Sequence, residues 1–451
     1  MAAVTGREFQ PVAVLDCDPR SAQVYEFGWQ SWSPAALYRA ESRSARPQSP
    51  LTQVMNYRPG CPAPGEGFQG EGLLAVARGG DEPILIFAAE GPDLVPSIRA
   101  RLLDDRLEVS ATGQVRIWPG ERGAGMDESL GRWAESFPGA GRAARRSLPS
   151  VWCSWYCLGD RVTAASVIRA ARSARQRQLP ISVFQVDDGW QAATGDWWPD
   201  RERFGDLREL ARALAADGLE LGLWVAPFVS AEDSETARRH PDWYRTDLDA
   251  GRNWKGRILV LDLRREAALA HLAGRLQGLA ELGVSYFKLD FLYAGALEGP
   301  GSGIGPYRMA MTSIQRAIGS RARLMACGAP LLPTVGLVDA VRVGPDTAPG
   351  WEPPGGDLSQ PSGRSAQVVS RARAFTHGRW WSNDPDCLLA RPGVERRGLR
   401  ARQLSELAGL ASSGDLPDDL DRWGLARTRR LMRPSATGPS APPGPMPVTR
   451  A

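Results

Sequence analysis

The stretch YFKLDF, residues 286–291, predicts a buried β-strand whose carboxyl end carries a lysine and a carboxylate. Lys288 and Asp290 are two residues apart, so on a strand both side chains leave the same face. A parallel strand buried on both faces is normally apolar throughout, so packing alone does not explain two charges at its end. In a (β/α)8 barrel the carboxyl ends of the strands are where catalytic groups cluster. The stretch therefore indicates a functional strand end, with a structural ion pair as the alternative.

Strand-like and helix-like segments alternate from residue 147 to residue 424, and this alternation predicts a (β/α)8 TIM barrel. Helical patterns cover residues 163–178, 207–216 and 264–282. About eight units in roughly 280 residues match the size of such a barrel. A doubly wound sheet is the alternative, but no Gly-rich dinucleotide loop opens a helix here. The strand candidates are residues 151–156, 182–186, 219–225, 286–291, 324–327, 340–343, 379–382 and 407–411.

The regions on either side of this barrel have a different pattern. Residues 1–146 lack helical periodicity and show short β-type runs between Gly- and Pro-rich turns, which predicts an antiparallel β-sandwich-like domain. Within it, the motif GWQSWS at residues 28–33 is either a core aromatic pair or a loop that reaches a ligand. Residues 425–451 form a short C-terminal tail, rich in Pro, Ser and Gly, that we expect to be disordered, above all over residues 435–447.

The composition excludes several classes of partner. The net charge is +4 and no dense basic stripe alternates with aromatic residues, so we expect no nucleic-acid partner. No signal-peptide pattern and no apolar run of membrane-spanning length is present, so we expect no membrane association and a cytoplasmic protein. The six scattered cysteines predict free thiols, and three histidines leave little material for a metal centre. We therefore expect no metal site. The sixteen tryptophans suit sugar rings as well as cores.

Further polar and aromatic candidates follow the other strands. Asp187 and Asp188 are adjacent carboxylates that repel one another unless donors or positive charge lie against them. Sugar hydroxyls suit them, because a carboxylate accepts several hydrogen bonds; a divalent metal or a turn role is the alternative. Trp155 and Trp224 lie at two further strand ends, where each either lines a cavity or packs at the barrel rim.

A second charged pair, Arg342 and Asp346, follows the sixth strand candidate. Two carboxylates from different strand ends that face one cavity are what glycoside hydrolysis requires, one as nucleophile and one as general acid/base. Asp290 and Asp346 can meet that requirement. Lys288 and Arg342 would lower the pKa of a nearby carboxylate and keep a nucleophile ionised.

The ordered set of motifs resembles the α-galactosidases of family 36 glycoside hydrolases, the melibiases. The resemblance covers about residues 150–420, and the motif at residues 28–33 is similar to one in the family's N-terminal β domain. The usual C-terminal β domain of the family is not evident in this sequence. The motifs that carry the resemblance lie at residues 185–191, 195–197, 240–243, 286–291, 327–330, 342–346 and 383–388.

The resemblance implies a role for each matching residue and a retaining double displacement without a cofactor. Asp290 would be the nucleophile and Asp346 the acid/base, acting on α-galactoside oligosaccharides. Asp384 and Asp386 would make structural hydrogen bonds rather than take part in catalysis. The galactosyl hydroxyls would be held by Asp187, Asp188, Lys288 and Arg342, and the pocket would be lined by Trp155, Trp224 and Cys327.

Three other interpretations stay open from sequence. The first is another retaining α-glycosidase or a galactosyltransferase, such as an α-N-acetylgalactosaminidase or a raffinose-synthase-like enzyme. The second is a truncated, non-catalytic protein that binds galactosides. The third is a metal-dependent enzyme, which a chelator would inactivate. The sequence does not indicate an oligomeric state.

Overall fold

The computed structural model describes residues 8–47, 50–141, 146–297, 303–433 and 445–449, and it shows an antiparallel β domain followed by a (β/α)8 barrel. The β domain has two sheets with a shared apolar core, in which Tyr38 and Phe68 stack with ring centroids 5.4 Å apart. One sheet has the order Gln10–Asp16, Arg106–Ala111, Ser97–Leu103 and Phe68–Glu71. The other has the order Val448–Thr449, Ala36–Arg39, Gln23–Glu26, Leu73–Ala77, Leu85–Ala88 and Arg116–Pro119.

The barrel consists of eight parallel strands, which confirms the predicted fold class. Each of strands 1 to 6 pairs with the next, and strand 8 pairs with strand 1. A single bridge between Leu388 and Ser413 joins the region after strand 7 to strand 8, so the barrel is nearly closed. Barrel strands 1 to 8 are Val151–Cys153, Val183–Val186, Glu220–Val225, Val284–Leu289, Arg323–Ala326, Ala340–Arg342, Ser382–Asp384 and Ser412–Ser413.

The last two strands lie further along the chain than the sequence predicts. The candidate at residues 379–382 shares only Ser382 with strand 7, whose sequence Ser-Asn-Asp is polar. The candidate at residues 407–411 lies between the end of a helix and strand 8, which has two serines. Both strands are defined by hydrogen bonds to their neighbours, and neither has the apolar run that marks a buried strand in a sequence.

Helices cover the outside of the barrel, and their ends follow ordinary capping chemistry. The helix Ala164–Gln176 begins with a capping box in which Thr163 and Ser166 exchange side-chain and backbone hydrogen bonds. In Leu207–Ala215 the buried leucines recur at helical spacing. The other long helices are Glu266–Glu281, Ile304–Ile318, Gly363–Ala372, Arg397–Leu407 and Arg422–Met432, with Met126–Ser136 before the barrel. Shorter ones are Pro50–Asn56, Trp155–Leu158, Arg201–Phe204, Glu235–Arg239 and Leu331–Thr334.

Short strands and 3₁₀ turns complete the loops above the barrel. The antiparallel pair Gln191–Ala193 and Asp196–Pro199 follows strand 2. A second small sheet follows strand 3 and contains Val229–Ala231, Tyr244–Arg245, Arg252–Asn253 and Gly256–Leu261. The 3₁₀ turns are Gly159–Arg161, Pro241–Trp243, Leu292–Ala296, Pro354–Gly356, Ala374–Thr376 and Pro417–Asp419.

The GWQSWS motif at residues 28–33 joins the β domain to the barrel. The buried guanidinium of Arg373, from the barrel, donates to the carbonyl oxygens of Ser31 at 2.6 Å and Ser33 at 2.8 Å. Gly28 is required here, because a Cβ would lie 2.4 Å from the Cβ of Ser33. Trp32 continues from this junction to the carboxyl end of the barrel, where its ring contacts that of Phe291 at 5.3 Å. The β domain therefore reaches the end of the barrel where catalytic groups cluster.

The C-terminal part differs from the predicted disordered tail at two places. The helix Arg422–Met432 crosses the predicted boundary at residue 424, and its Thr428 and Met432 are buried. Residues 448–449 pair with Ala36–Arg39 of the β domain, because the edge of that sheet offers free backbone groups. Residues 434–444, most of the segment with the strongest expectation of disorder, lie outside the described residues. The boundary predicted at residue 146 stays a prediction within the interval from Pro119 to Val151.

All six cysteines carry free thiols. In the part of the chain that the structure describes, no helix has both the length and the apolar character needed to cross a bilayer.

Candidate active site

A cavity of about 320 Å³ opens at the carboxyl ends of the barrel strands, a volume at the small end of the range for small-molecule sites. Residues of the barrel and of the β domain line it together. A larger cavity of about 920 Å³ lies at the opposite end of the strands and contains none of the candidate residues. The smaller cavity is lined by Trp32, Thr52, Met55, Asn56, Trp155, Asp187, Trp224, Arg252, Asn253, Trp254, Lys288, Asp290, Phe291, Pro345, Asp346, Ser359, Gln360 and Pro361.

The floor of this cavity carries a buried ion pair between Asp187 and Lys288. The ammonium group lies 2.9 Å from the Asp187 carboxylate, which also accepts from the Gln185 amide at 3.0 Å and from the Cys153 thiol at 3.4 Å. Burial acts to raise the pKa of Asp187, but Lys288 and the hydrogen-bond donors outweigh it and hold that pKa below its usual value. Asp187 is therefore ionised at neutral pH.

Asp290 lies beside this ion pair, as expected for side chains on one face of a strand end. Its carboxylate accepts from the indole of Trp224 at 3.0 Å and from the backbone N–H of Phe291 at 2.8 Å. The ammonium of Lys288 is 3.9 Å away. Two neutral donors and one cation stabilise negative charge on this carboxylate, and Asp290 is only 6% exposed. The Asp290 carboxyl group is buried, with one side toward the cavity.

Arg342, at the end of strand 6, pairs with three carboxylates. Its guanidinium contacts Asp346 at 2.9 Å, Asp384 at 2.9 Å and Asp386 at 2.8 Å. Asp386 has a positive φ of 76° and also accepts from the backbone N–H of Thr347 at 2.6 Å. Arg342 therefore joins the ends of strands 6 and 7 and fixes the loop that carries Asp346.

Asp346 is the more exposed of the two carboxylates proposed for catalysis. A third of its side chain, 34%, is accessible to solvent. Partial burial and the nearby Asp386 carboxylate raise the pKa of Asp346 to about 6, although Arg342 acts in the opposite direction. A carboxyl group with this pKa gives up and takes up a proton near neutral pH, which suits a general acid/base.

Asp187 and Asp188, adjacent in sequence, face different surroundings. Asp188 is fully buried and accepts from the indole of Trp254 at 2.9 Å and from the side-chain amide of Gln191. The ammonium of Lys255 is 3.5 Å from the same carboxylate. Asp188 thus holds the hairpin that follows strand 3, and this hairpin brings residues 252–254 to the cavity.

The structure brings together most of the residues predicted from sequence. Six of them line the one cavity: Asp187, Lys288, Asp290, Asp346, Trp155 and Trp224. Three others, Asp188, Arg342 and Cys327, are not among its lining residues. The Cys327 thiol is buried in the barrel interior, which raises its pKa well above the usual value. Its predicted contact with a ligand, and the roles of the other candidates, stay predictions.

Sequence reasoning missed the cavity residues outside the strand ends. The hairpin at residues 252–256 has a recognisable signal, because Asn253 accepts from the backbone N–H groups of Lys255 and Gly256 in a tight Asn-x-x-Gly turn. Trp32 was singled out only as part of its motif; its indole N–H is buried without a hydrogen-bond partner among the described residues. Nothing in the sequence marks Thr52, Met55 or Asn56, which reach the cavity through the contact between domains.

No described group of three or more His, Cys, Asp and Glu side chains is arranged to hold a metal ion. The Asp187 and Asp188 carboxylates, the sequence alternative for a metal site, contact ammonium, amide and indole donors. A carboxylate has several lone pairs, so one that already accepts from these donors can also accept a hydrogen bond from a sugar hydroxyl.

A family model described as Melibiase matches residues 140–303 of this chain. Over 156 residues the chain is 30% identical to alpha-galactosidase 2 of Pediococcus pentosaceus. That segment is 33% of this chain and 21% of the relative, so the match spans about a fifth of the relative's length.

The whole chain is similar to a solved structure. The α-galactosidase TtGalA of Thermus thermophilus, in complex with p-nitrophenyl α-D-galactopyranoside, superposes with a TM-score of 0.81 at 29% identity. The match covers 96% of this chain and 90% of that one. The same protein in complex with stachyose superposes with a TM-score of 0.80 at 28% identity, covering 95% of this chain and 96% of that one. The similarity therefore extends over both the β domain and the barrel.

Proposed function

The chain belongs to the melibiase family, glycoside hydrolase family 36, and from this premise we propose that it is an α-galactosidase. Its substrates would be oligosaccharides with a terminal α-galactosyl residue, which it would hydrolyse with retained anomeric configuration. The observation that carries the proposal is that Asp290 and Asp346, from different strand ends, line one small cavity with the Asp187–Lys288 ion pair. We infer that the sugar is galactose because similar proteins are named α-galactosidases.

The surroundings of the two carboxylates support different roles for them. Asp290, buried and stabilised as an anion, would attack the anomeric carbon and form a covalent galactosyl-enzyme. Asp346, more exposed and with a raised pKa, would give its proton to the departing glycosidic oxygen. As a carboxylate it would then take a proton from water, whose oxygen attacks the same carbon and releases Asp290. Two displacements return the sugar to its α configuration.

The ion pair on the floor would recognise the galactosyl hydroxyls. The Asp187 carboxylate can accept from hydroxyls and the Lys288 ammonium can donate to them, so the pair presents both kinds of partner. Because each group is already paired, neither is left as an uncompensated charge before the sugar binds. Trp224 would hold Asp290 in place through its indole N–H.

The proposal is tested by following hydrolysis of p-nitrophenyl α-galactoside by proton NMR. We expect α-galactose to appear first and to mutarotate slowly to the β form. First appearance of β-galactose would discard the double displacement, and absence of turnover would favour the non-catalytic, galactoside-binding interpretation. Rates in a chelator should equal those without it, which separates this enzyme from a metal-dependent one. Turnover of p-nitrophenyl α-N-acetylgalactosaminide is measured in parallel, because faster turnover of that substrate would favour an α-N-acetylgalactosaminidase.

Asp187→Asn should weaken galactose binding without unfolding the protein. The change removes the charge that Lys288 contacts and one acceptor for a sugar hydroxyl. A hydrogen bond to a charged group contributes roughly 1.5–3 kcal/mol, so the inhibition constant for galactose should rise about 10- to 150-fold. Asp339→Asn is the matched control, because this buried carboxylate pairs with Arg146 and lies outside the cavity. Equal inhibition constants for the wild type and Asp187→Asn would remove Asp187 from the binding site.

The pH dependence follows from the raised pKa of Asp346. The general acid must carry its proton before the first step, so kcat/KM should fall as the pH rises through about 6. Below that pH Asp346 is protonated, so its titration no longer changes kcat/KM. The profile is measured with a substrate whose leaving group needs protonation, such as melibiose. A profile that stays flat up to pH 8 would contradict the assignment of Asp346 as the acid.

A further inference from the structure

We propose that Tyr156 and Asp386 are positioning residues that hold the acid/base Asp346 in its working position without contacting the substrate. Neither residue is among the side chains that line the cavity, so each would act through its contacts with the loop that carries Asp346. This inference rests on the proposed function and deepens it, because it concerns the proton transfer of the same reaction.

The buried carboxylate of Asp386 contacts the Asp346 loop at both ends. Where the loop begins, it pairs with the guanidinium of Arg342 at 2.8 Å, and just after Asp346 it accepts from the backbone N–H of Thr347 at 2.6 Å. Arg342 in turn donates to the Asp346 carboxylate at 2.9 Å. Asp386 therefore fixes both the backbone next to Asp346 and the cation that contacts its side chain. Hydrogen bonds that involve an ionised group are stronger than neutral ones, so this arrangement is well held.

Tyr156, which follows strand 1, holds Asp386 in this orientation. Its hydroxyl donates to the same Asp386 oxygen that accepts from Thr347, while the other oxygen contacts Arg342. Gly414 makes room for the tyrosine ring, because a Cβ at that position would lie 2.6 Å from one of the ring carbons. Both carboxylate oxygens thus have partners, and rotation of the Asp386 side chain would break several hydrogen bonds at once.

Asp386 also affects how tightly Asp346 binds its proton. Burial raises the pKa of Asp346 most, and the Asp386 carboxylate acts in the same direction. Arg342 and Lys288 lower this pKa, and Asp290 raises it. Without the Asp386 charge, Arg342 would pair more closely with Asp346, so the pKa of Asp346 should fall. The charged and titratable groups around Arg342 and Asp346 are Lys288 and Asp290 at the end of strand 4, Asp384 and Asp386 at the end of strand 7, Tyr156 after strand 1 and Cys327 after strand 5.

The first test removes the charge of Asp386 and compares two substrates. Melibiose has a leaving group that needs a proton, whereas a dinitrophenyl galactoside does not. Asp386→Asn keeps the size of the side chain, and asparagine tolerates the positive φ of 76° at this position. We expect the variant to lower kcat/KM for melibiose at neutral pH about tenfold more than for the dinitrophenyl galactoside. The fall of kcat/KM for melibiose should move about one unit toward lower pH.

Asp384→Asn is the matched comparison for this variant. It removes a carboxylate from the same guanidinium, but Asp384 contacts Arg342 through the opposite side of the group, at Nε, and not the backbone of Thr347. We therefore expect its pH profile to move less than that of Asp386→Asn.

Tyr156→Phe tests the positioning without a change of formal charge. The variant loses one hydrogen bond to Asp386, so the ratio of kcat/KM for melibiose to that for the dinitrophenyl galactoside should fall about three- to tenfold. Tyr307→Phe is the control, because this buried hydroxyl bonds to Thr334 outside the cavity, and its ratio should equal that of the wild type. If Asp386→Asn does not fold, the tyrosine variant decides the question.

The outcomes separate a positioning role from a merely structural one and from the proposed function. A structural role predicts equal losses on both substrates and a pH profile that does not move. Equal losses, an unchanged ratio in Tyr156→Phe, or a pH shift in Asp384→Asn as large as that in Asp386→Asn would each overturn the inference. Failure of the wild type to turn over the dinitrophenyl galactoside would instead contradict the proposed function.

Discussion

Asp290→Ala is expected to lower kcat for α-galactosides by roughly four to six orders of magnitude, the loss typical of a removed nucleophile. The carboxylate lies in the cavity, buried and stabilised as an anion by Trp224 and by the backbone of Phe291. In the proposed mechanism, no covalent galactosyl-enzyme would form without it. Turnover of p-nitrophenyl α-galactoside measures the loss, and the thermal melting of the variant shows whether the fold is retained.

Azide gives this variant a distinctive product. The small anion can occupy the space that the Asp290 carboxylate leaves and can attack the anomeric carbon from the same side. The product should be β-galactosyl azide, with inverted configuration, and it is identified by NMR. Azide should not accelerate the wild type. Formation of the α-azide would show that Asp290 is not the nucleophile.

Asp346→Ala is expected to have an effect that depends on the leaving group. General acid catalysis contributes about 10²- to 10⁴-fold, so hydrolysis of melibiose should fall by that amount. A dinitrophenyl galactoside needs no protonation of its leaving group, and its first step should proceed nearly as in the wild type. Added azide should attack the covalent intermediate that still forms and give α-galactosyl azide.

The pH profile of this variant provides a second check. The fall of kcat/KM above pH about 6 should be absent for the activated substrate, because the group that titrates has been removed. An equal loss on melibiose and on the dinitrophenyl galactoside would contradict the acid role. An α-azide from Asp290→Ala together with a β-azide from Asp346→Ala would exchange the roles of the two residues.

The barrel and the identity of the candidate residues are determined by local patterns in the sequence. The YFKLDF stretch is apolar except at Lys288 and Asp290, which lie on one face near the end of the strand. This pattern can be recognised from neighbouring residues alone. Helices such as Glu266–Glu281 are found within two residues of their predicted bounds for the same reason. Strands 7 and 8 were misplaced because polar residues form them, and only hydrogen bonds to distant strands define them.

The relation between the candidate residues was decided by the tertiary structure. Asp187 and Asp188 are equivalent in sequence, but the first pairs with Lys288 on the floor and the second holds the Trp254 hairpin. Likewise, only the structure shows that three carboxylates surround the guanidinium of Arg342, and its predicted contact with a sugar stays a prediction.

The exposure of each candidate side chain to solvent was also decided by the tertiary structure. The raised pKa of Asp346 depends on its burial and on Asp386, forty residues further along the chain. The cavity is completed by Trp32 and by the helix Pro50–Asn56 of the β domain, which the buried Arg373 and the GWQSWS motif hold against the barrel. Sequence patterns indicate which residues belong to each helix or strand, because these patterns involve residues that are close together along the chain. Distances and electrostatic fields arise between groups far apart in sequence, and only the packed structure brings those groups together.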